Sequence, residues 1–217
     1  MQIDEIFEAD KRIKKKKRTT PLLNSPFLDE IADRQIFIKA ECLQHTGSFK
    51  FRGAYSAISS IPIEKRKKGV IAYSSGNHAQ GVAFAAKIHK IPATIIMPED
   101  APEIKINNTK DLGAEVILYD RLSENREKIG QKISEERLLS LIPPYDHNDV
   151  IAGQGTIGLE IASQAEQIGI GKADVLVCCG GGGLTSGIAV ALSTLMPDFV
   201  TRPVEPEGFD DVVRSLK

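Results

Sequence analysis

From residue 36 onward, short runs rich in β-branched residues alternate with longer amphipathic stretches, and that alternation restricts the chain to parallel strands covered by helices. Strands are predicted at 36–39, 69–73, 93–97, 115–119 and 173–178. Helices are predicted at about 50–60, 77–89, 102–112, 123–138, 155–169 and 184–195, several closed by Gly113, Gly169 or Pro197. An earlier amphipathic segment carries Ile3, Ile6, Phe7 and Ile13 and is expected to stop by Pro21, with Lys14–Arg18 as its solvated, dipole-complementing end. Pro203 lacks an amide hydrogen, so the final Val200–Val204 run is expected to be an edge or irregular strand. The clearest loop is Pro143-Pro144 followed by Asp146, Asn148 and Asp149.

Composition narrows the function classes. The 217 residues can bury a substantial core, and 28 basic against 29 acidic side chains leave no field that would attract nucleic acid. Cys42, Cys178 and Cys179 have neither the number of a disulfide framework nor the spacing of a zinc site, and they read as free thiols in a reducing compartment. No apolar stretch reaches the roughly 20 residues of a membrane span, and the N-terminus lacks the order of a signal peptide. The expected location is therefore the cytoplasm and the expected partners are small molecules, not nucleic acid or membrane.

Ligands of such sheets collect beyond the carboxyl ends of the strands, and two loops there are unusual. One is Ser74-Ser75-Gly76-Asn77-His78, which offers hydroxyls, an amide and a helix start, although Ser75 or Asn77 also suits a plain helix cap. The other is Gly180-Gly181-Gly182-Gly183-Leu184, whose backbone amides can approach an anion at a helix N-terminus. Its spacing is not that of an ordered dinucleotide loop. Earlier, Lys50 lies within Thr46-Gly47-Ser48-Phe49-Lys50-Phe51-Arg52-Gly53. A lysine flanked by an aromatic ring and small residues suits a covalently held carbonyl cofactor, because a desolvated amine loses its charge more readily. Each feature alone has a bland reading as surface amine, cap or turn. His45, His78, His89 and His147 show neither metal spacing nor a nucleophile partner.

Taken in order, these motifs resemble the fold-type II pyridoxal-phosphate enzymes, and within them the threonine/serine dehydratase and serine racemase group. The resemblance runs from about Thr20 to Leu216. It implies two open, twisted, mainly parallel sheets with flanking helices, as in the tryptophan synthase β-like fold. It divides the chain into a large cofactor-binding domain of residues 1–53 and 149–217 and a small domain of 54–148. By resemblance, Lys50 would hold the cofactor aldehyde as a Schiff base and exchange protons at the substrate Cα, with Phe49 beside the ring. Asn77 would bond the ring's 3-oxygen, and Gly180, Gly181, Gly182, Gly183 and Leu184 would cradle the phosphate. Ser75 would face the substrate from the other side, and Ser74, Ser75, Gly76, Asn77 and His78 would seat its carboxylate. Glu205, the carbonyl of Phe209 and Asp211 would hold Mg²⁺ or Ca²⁺.

The resemblance implies deamination of L-threonine, L-serine or a related β-hydroxy amino acid to a 2-oxo acid and ammonia. Serine racemisation and 3-hydroxyaspartate dehydration are the alternatives within the group. Measured against the family pattern, the chain stops at Lys217 where relatives continue, so the large domain is expected to be incomplete and to lack the residue facing the pyridine nitrogen. An inactive truncated chain that only binds is therefore the reading from another class, and association of two copies as a homodimer is expected through the open surface. A nucleotide-binding oxidoreductase using the glycine loop is a third reading.

Overall fold

In the computed structural model, residues 1–215 are described; residues 216–217, the end of the expected large domain, lie outside the described residues. The central element is a four-stranded parallel sheet in the order β5-β4-β3-β6, made of β3 (Val70–Tyr73), β4 (Ala93–Pro98), β5 (Glu115–Tyr119) and β6 (Ser140–Leu141). Every residue of β4 is buried, as expected of a strand covered on both faces. A second, two-stranded parallel sheet pairs β7 (Ala173–Cys178) with β8 (Phe199–Val204), and β1 (Leu22–Asn24) pairs antiparallel with β2 (Phe37–Lys39).

The helices are α1 (Ile3–Ile13), α2 (Pro26–Ala32), α3 (Lys50–Ser60), α4 (Ile63–Arg66), α5 (Asn77–His89), α6 (Glu103–Asp111), α7 (Arg126–Arg137), α8 (Asn148–Gln167), α9 (Gly183–Leu195) and α10 (Asp211–Ser215). The main core joins α3 and α5 to the four-stranded sheet, with Phe51, Ile58, Val82, Ile95 and Met97 fully buried. A second core, built on Ile157, Ile161, Ile188, Leu192 and Phe199, lies between α8, α9 and the β7–β8 pair.

Three helices meet nearly backbone to backbone. A Cβ on Gly153 of α8 would lie 2.6 Å from the carbonyl oxygen of Arg52 on α3, and one on Gly187 of α9 would lie 2.5 Å from that of Ile151 on α8. These glycines lower helix propensity but permit the crossings that set Lys50 beside α8 and α9.

The fold corrects several sequence-based expectations. The helix expected at 155–169 begins at Asn148 instead, because the Pro-rich loop ends at His147 and Asp149 falls in the first turn, where an acid suits the helix dipole. The helix carrying Ile3 and Ile13 ends at Ile13, so Lys14–Arg18 lies beyond it. Lys17 is not a solvated end: its side chain is 8% exposed and pairs with Asp10 at 2.8 Å and Glu160 at 2.6 Å. Val200–Val204 meets the expectation of an edge strand, since β8 pairs with β7 alone, and it is regular with Pro203 in register with Val177. β1 and β6 went unread because two or three residues carry no periodicity.

Candidate active site

Lys50 is the first residue of α3, delivered there by a tight turn in which Thr46 (φ 60°) and Gly47 (φ 71°) both adopt left-handed backbone. The turn is braced by Gln44, whose side-chain oxygen accepts the amides of Arg18 and His45, both at 3.0 Å. Two residues further along α3, Arg52 is completely buried and pairs with Glu41 and Glu160, both at 2.7 Å. Glu160 also receives Lys17 and Lys39. Burial alone would raise the Glu160 pKa, but Arg52, Lys17 and Lys39 override it and hold the carboxyl at about 2. This ionic cluster fixes α3 to α8 and to the N-terminal segment directly behind the lysine.

The amine itself opens into a cavity of about 560 Å³. Phe49, Lys50, Gly180, Gly181, Gly182, Gly183 and Leu184 all line it, so the structure gathers the lysine, its aromatic neighbour and the glycine loop as the sequence predicts. Burial pushes the Lys50 pKa below its ordinary value, only partly opposed by Cys178. Its Nζ donates a 2.6 Å hydrogen bond to the carbonyl of Pro144 and lies 5.2 Å from the centre of the Phe49 ring. Across the cavity the glycine loop enters α9 through Gly182, whose φ of 78° favours glycine.

The Ser74–His78 loop is placed differently. Ser74 and Ser75 line a separate cavity of about 350 Å³, and Gly76, Asn77 and His78 line neither cavity among the described residues. Asn77 is the first residue of α5 and is exposed. His78 is buried, its Nε2 2.9 Å from the carbonyl oxygen of Ile142, and desolvation together with the nearby Lys50 charge lowers its pKa to about 4 despite that hydrogen bond. The loop nevertheless runs to the lysine, because a Cβ on Gly81 of α5 would lie 3.1 Å from the Lys50 carbonyl carbon.

Sequence reasoning missed Pro144, Tyr145, Gln154, Cys178 and Thr185, which also line the larger cavity. The Tyr145 ring sits where a Cβ of Gly181 would fall. A Pro-Pro-Tyr segment read as a connecting loop gave no sign of this, whereas the polar Gln154 between Gly153 and Gly155 on a buried helix was a usable signal.

The residues fit a flat, phosphorylated aldehyde. Cβ positions built on Gly180 and Gly182 meet nothing within 4 Å, so the loop leaves room for an anion at the N-terminus of α9. Both polar atoms of the Gln154 side chain and the Thr185 hydroxyl are buried without a partner at the cavity wall. Such orphaned groups are rare unless a ligand or water satisfies them.

Glu205 touches the rim of this cavity, but its two carboxylate oxygens accept the amides of Val212 at 2.9 Å and Val213 at 3.2 Å. It caps α10. Phe209, in the adjoining turn, and Asp211, the first residue of α10, are both exposed.

Comparison with known proteins agrees with this geometry. Residues 13–217 match the pyridoxal-phosphate dependent enzyme family, and the chain belongs to that family. It is 47% identical to an L-threo-3-hydroxyaspartate ammonia-lyase of Saccharomyces cerevisiae, over 98% of this chain and 64% of that protein. It is 46% identical to a serine racemase of Schizosaccharomyces pombe, over 99% of this chain and 65% of that protein. The chain thus spans just under two thirds of the length of these relatives. Among solved structures, serine racemase from Dictyostelium discoideum superposes with a TM-score of 0.92 at 39% identity, covering 100% of this chain and 69% of that one. Maize serine racemase gives a TM-score of 0.93 at 39% identity, covering 99% of this chain and 64% of that one. The two parallel sheets with flanking helices are therefore those of the fold-type II pyridoxal-phosphate enzymes.

Proposed function

We propose that the protein to which this chain belongs deaminates a β-hydroxy amino acid to a 2-oxo acid and ammonia, with pyridoxal phosphate held at Lys50. The supporting observation is that a buried lysine of lowered pKa and a glycine loop able to take a phosphate share one cavity. The cofactor supplies an electron sink for the charge left at Cα. Lys50 moves the proton at Cα, for which its desolvation favours the neutral amine. Gly180–Leu184 bind the phosphate through amides and the start of α9. Ser74–His78 seat the substrate carboxylate, and Asn77 turns toward the cofactor ring on closure of its loop. Loss of the β-hydroxyl as water, and return of water when nitrogen leaves, balances the reaction: threonine gives 2-oxobutanoate and ammonia, serine gives pyruvate and ammonia.

The relatives named serine racemase favour a second reading, in which Ser75 returns a proton to the opposite face of Cα without elimination. Incubation with pyridoxal phosphate and L-threonine, L-serine, D-serine or 3-hydroxyaspartate separates the two readings. Keto acid release supports the first, interconversion of serine enantiomers the second, and neither product sinks both.

Finer assignments belong to the same proposal. Residues 1–53 and 149–217 form the cofactor-binding lobe and 54–148 the smaller one. Mg²⁺ or Ca²⁺ binds Glu205, the Phe209 carbonyl and Asp211 once Glu205 releases the amides of α10, which a metal-dependent rise in melting temperature would register. Two copies associate through exposed apolar residues such as Phe27, Ile31 and Ile38, as the mass in solution would report. No described helix is long and apolar enough to cross a membrane, and the chain is assigned to the cytoplasm.

A further inference from the structure

Lys50 and Gly183 are the first residues of α3 and α9, two helices that both pack on α8. On α8, Gly153 faces α3, since a Cβ there would lie 2.7 Å from the Gly53 Cα. Gly155 faces α9, where its Cβ would lie 2.9 Å from the Gly187 carbonyl oxygen. Gln154 falls between these two glycines and looks into the larger cavity, which holds the amine and the glycine loop. α8 and α9 run parallel, because Gly155 meets Gly187 and, further along both helices, Gly158 meets Ala191. Helical side chains tilt back toward the N-terminus. The Gln154 amide therefore reaches the level of the first turn of α9, where Thr185 also lines the cavity.

Gln154 is only 1% exposed, yet neither Oε1 nor Nε2 has a partner among the described residues, and the Thr185 hydroxyl is orphaned in the same way. A buried donor or acceptor left unpaired destabilises the fold, whereas an apolar side chain of the same shape does not. The chain also makes room for this amide, because a Cβ on Gly53 of α3 would run into it. A polar group given space where an apolar one would be more stable is explained by a ligand that pairs with it. We propose that Gln154 is a cofactor-binding residue that, together with Thr185, donates to the phosphate of pyridoxal phosphate from the α8 side, so that stability given up in the cofactor-free chain is recovered on binding. This rests on the proposed placing of the phosphate at Gly180–Leu184. An amide N–H and a hydroxyl both form stronger hydrogen bonds to a charged phosphate than to a neutral acceptor.

The test compares the natural chain with Gln154→Met, which keeps the length and volume of the side chain, and with Thr185→Val and Thr185→Ser. Two quantities are read: the thermal midpoint of the cofactor-free chain, and the affinities for pyridoxal phosphate and for pyridoxal, which lacks the phosphate, from the absorbance of the Schiff base. Gln154→Met should raise the midpoint by about 2–4 °C, because it removes the orphaned amide. The same substitution should weaken pyridoxal phosphate at least roughly tenfold and leave pyridoxal unchanged. Thr185→Val should weaken pyridoxal phosphate alone, and Thr185→Ser should restore it. Unchanged affinity for pyridoxal phosphate in Gln154→Met, or an equal loss for pyridoxal, overturns the proposal. So does a lower midpoint, which would mean that the amide already has partners in the cofactor-free chain. A natural chain that forms no Schiff base counts against the reading of Lys50. Inorganic phosphate, set against sodium chloride of equal ionic strength, then decides the role of Gln154: the proposal requires a rise in midpoint for the natural chain that Gln154→Met lacks, and no rise, or an equal one, overturns it.

Discussion

The Lys50 ammonium donates a 2.6 Å hydrogen bond to the carbonyl of Pro144, the residue immediately before the tyrosine whose ring covers Gly181. One short Pro-Tyr segment therefore touches both the Lys50 amine and the glycine loop. Gly181→Ala drives a methyl group into the Tyr145 ring and should destabilise the chain by about 1–3 kcal/mol while weakening pyridoxal phosphate binding. Adding Tyr145→Ala should restore part of that stability, read as a positive coupling in denaturant unfolding of the four-member cycle. Simple additivity would mean that ring and loop do not touch.

The contact between α8 and α9 depends on the absence of a side chain at Gly187. Alanine there would place its Cβ 2.5 Å from the Ile151 carbonyl oxygen and 2.7 Å from the Gly155 nitrogen, atoms that cannot rotate away. Gly187→Ala should therefore cost about 3 kcal/mol and lower the unfolding midpoint. Alanine at Gly171, where a Cβ meets nothing within 4 Å, should change the midpoint little.

Much of this was legible in the sequence because the signals were long or chemically unusual. The strand and helix alternation located β3, β4, β5, β7, α3 and α5 within a residue or so, and the glycine run marked the turn into α9. Lys50, Phe49 and the glycine loop share a cavity because strand ends and helix starts converge at one side of such sheets. What escaped detection depends on long-range contacts. Arg52 looks like a surface cation beside Phe51, yet its charge is matched by Glu160, 108 residues away. Tyr145 gave no periodic signal, and Ser74 and Ser75 face a different cavity from Lys50 although their motif adjoins its helix.

His78 makes stability depend on pH in the mildly acidic range. Its pKa falls from an ordinary 6.5 to about 4 on folding, so between those values the unfolded chain binds a proton that the folded chain refuses. The contribution is fully present above pH 6.5 and is lost as pH falls toward 4, roughly 3 kcal/mol in all. Urea unfolding across this range should show that loss, and His78→Gln should flatten the curve. A residual slope is expected from His89, which burial also lowers to about 4. An unchanged pH dependence in His78→Gln would mean that His78 is accessible to protons in the folded state.

Glu160 acts lower on the pH scale. Its pKa is depressed to about 2, so its stabilisation is complete above its ordinary 4.5 and disappears as pH falls through 4.5 toward 2. At neutral pH, Glu160→Gln leaves Arg52, Lys17 and Lys39 without their shared carboxylate and should cost on the order of 3–5 kcal/mol. Equilibrium unfolding at pH 7 checks this directly; a loss below about 1 kcal/mol would show the cluster to be no stronger than exposed pairs.

The most direct measurement of the central claim is to incubate the chain with pyridoxal phosphate, reduce with borohydride and map the modified lysine by mass spectrometry. The proposed site has Lys50, buried and of lowered pKa, as the reactive amine and Gly180–Leu184 as the phosphate cradle. The expected result is one phosphopyridoxyl group per chain on Lys50, absent in Lys50→Ala. Modification spread over exposed lysines such as Lys11 and Lys67, with Lys50 untouched, would contradict it.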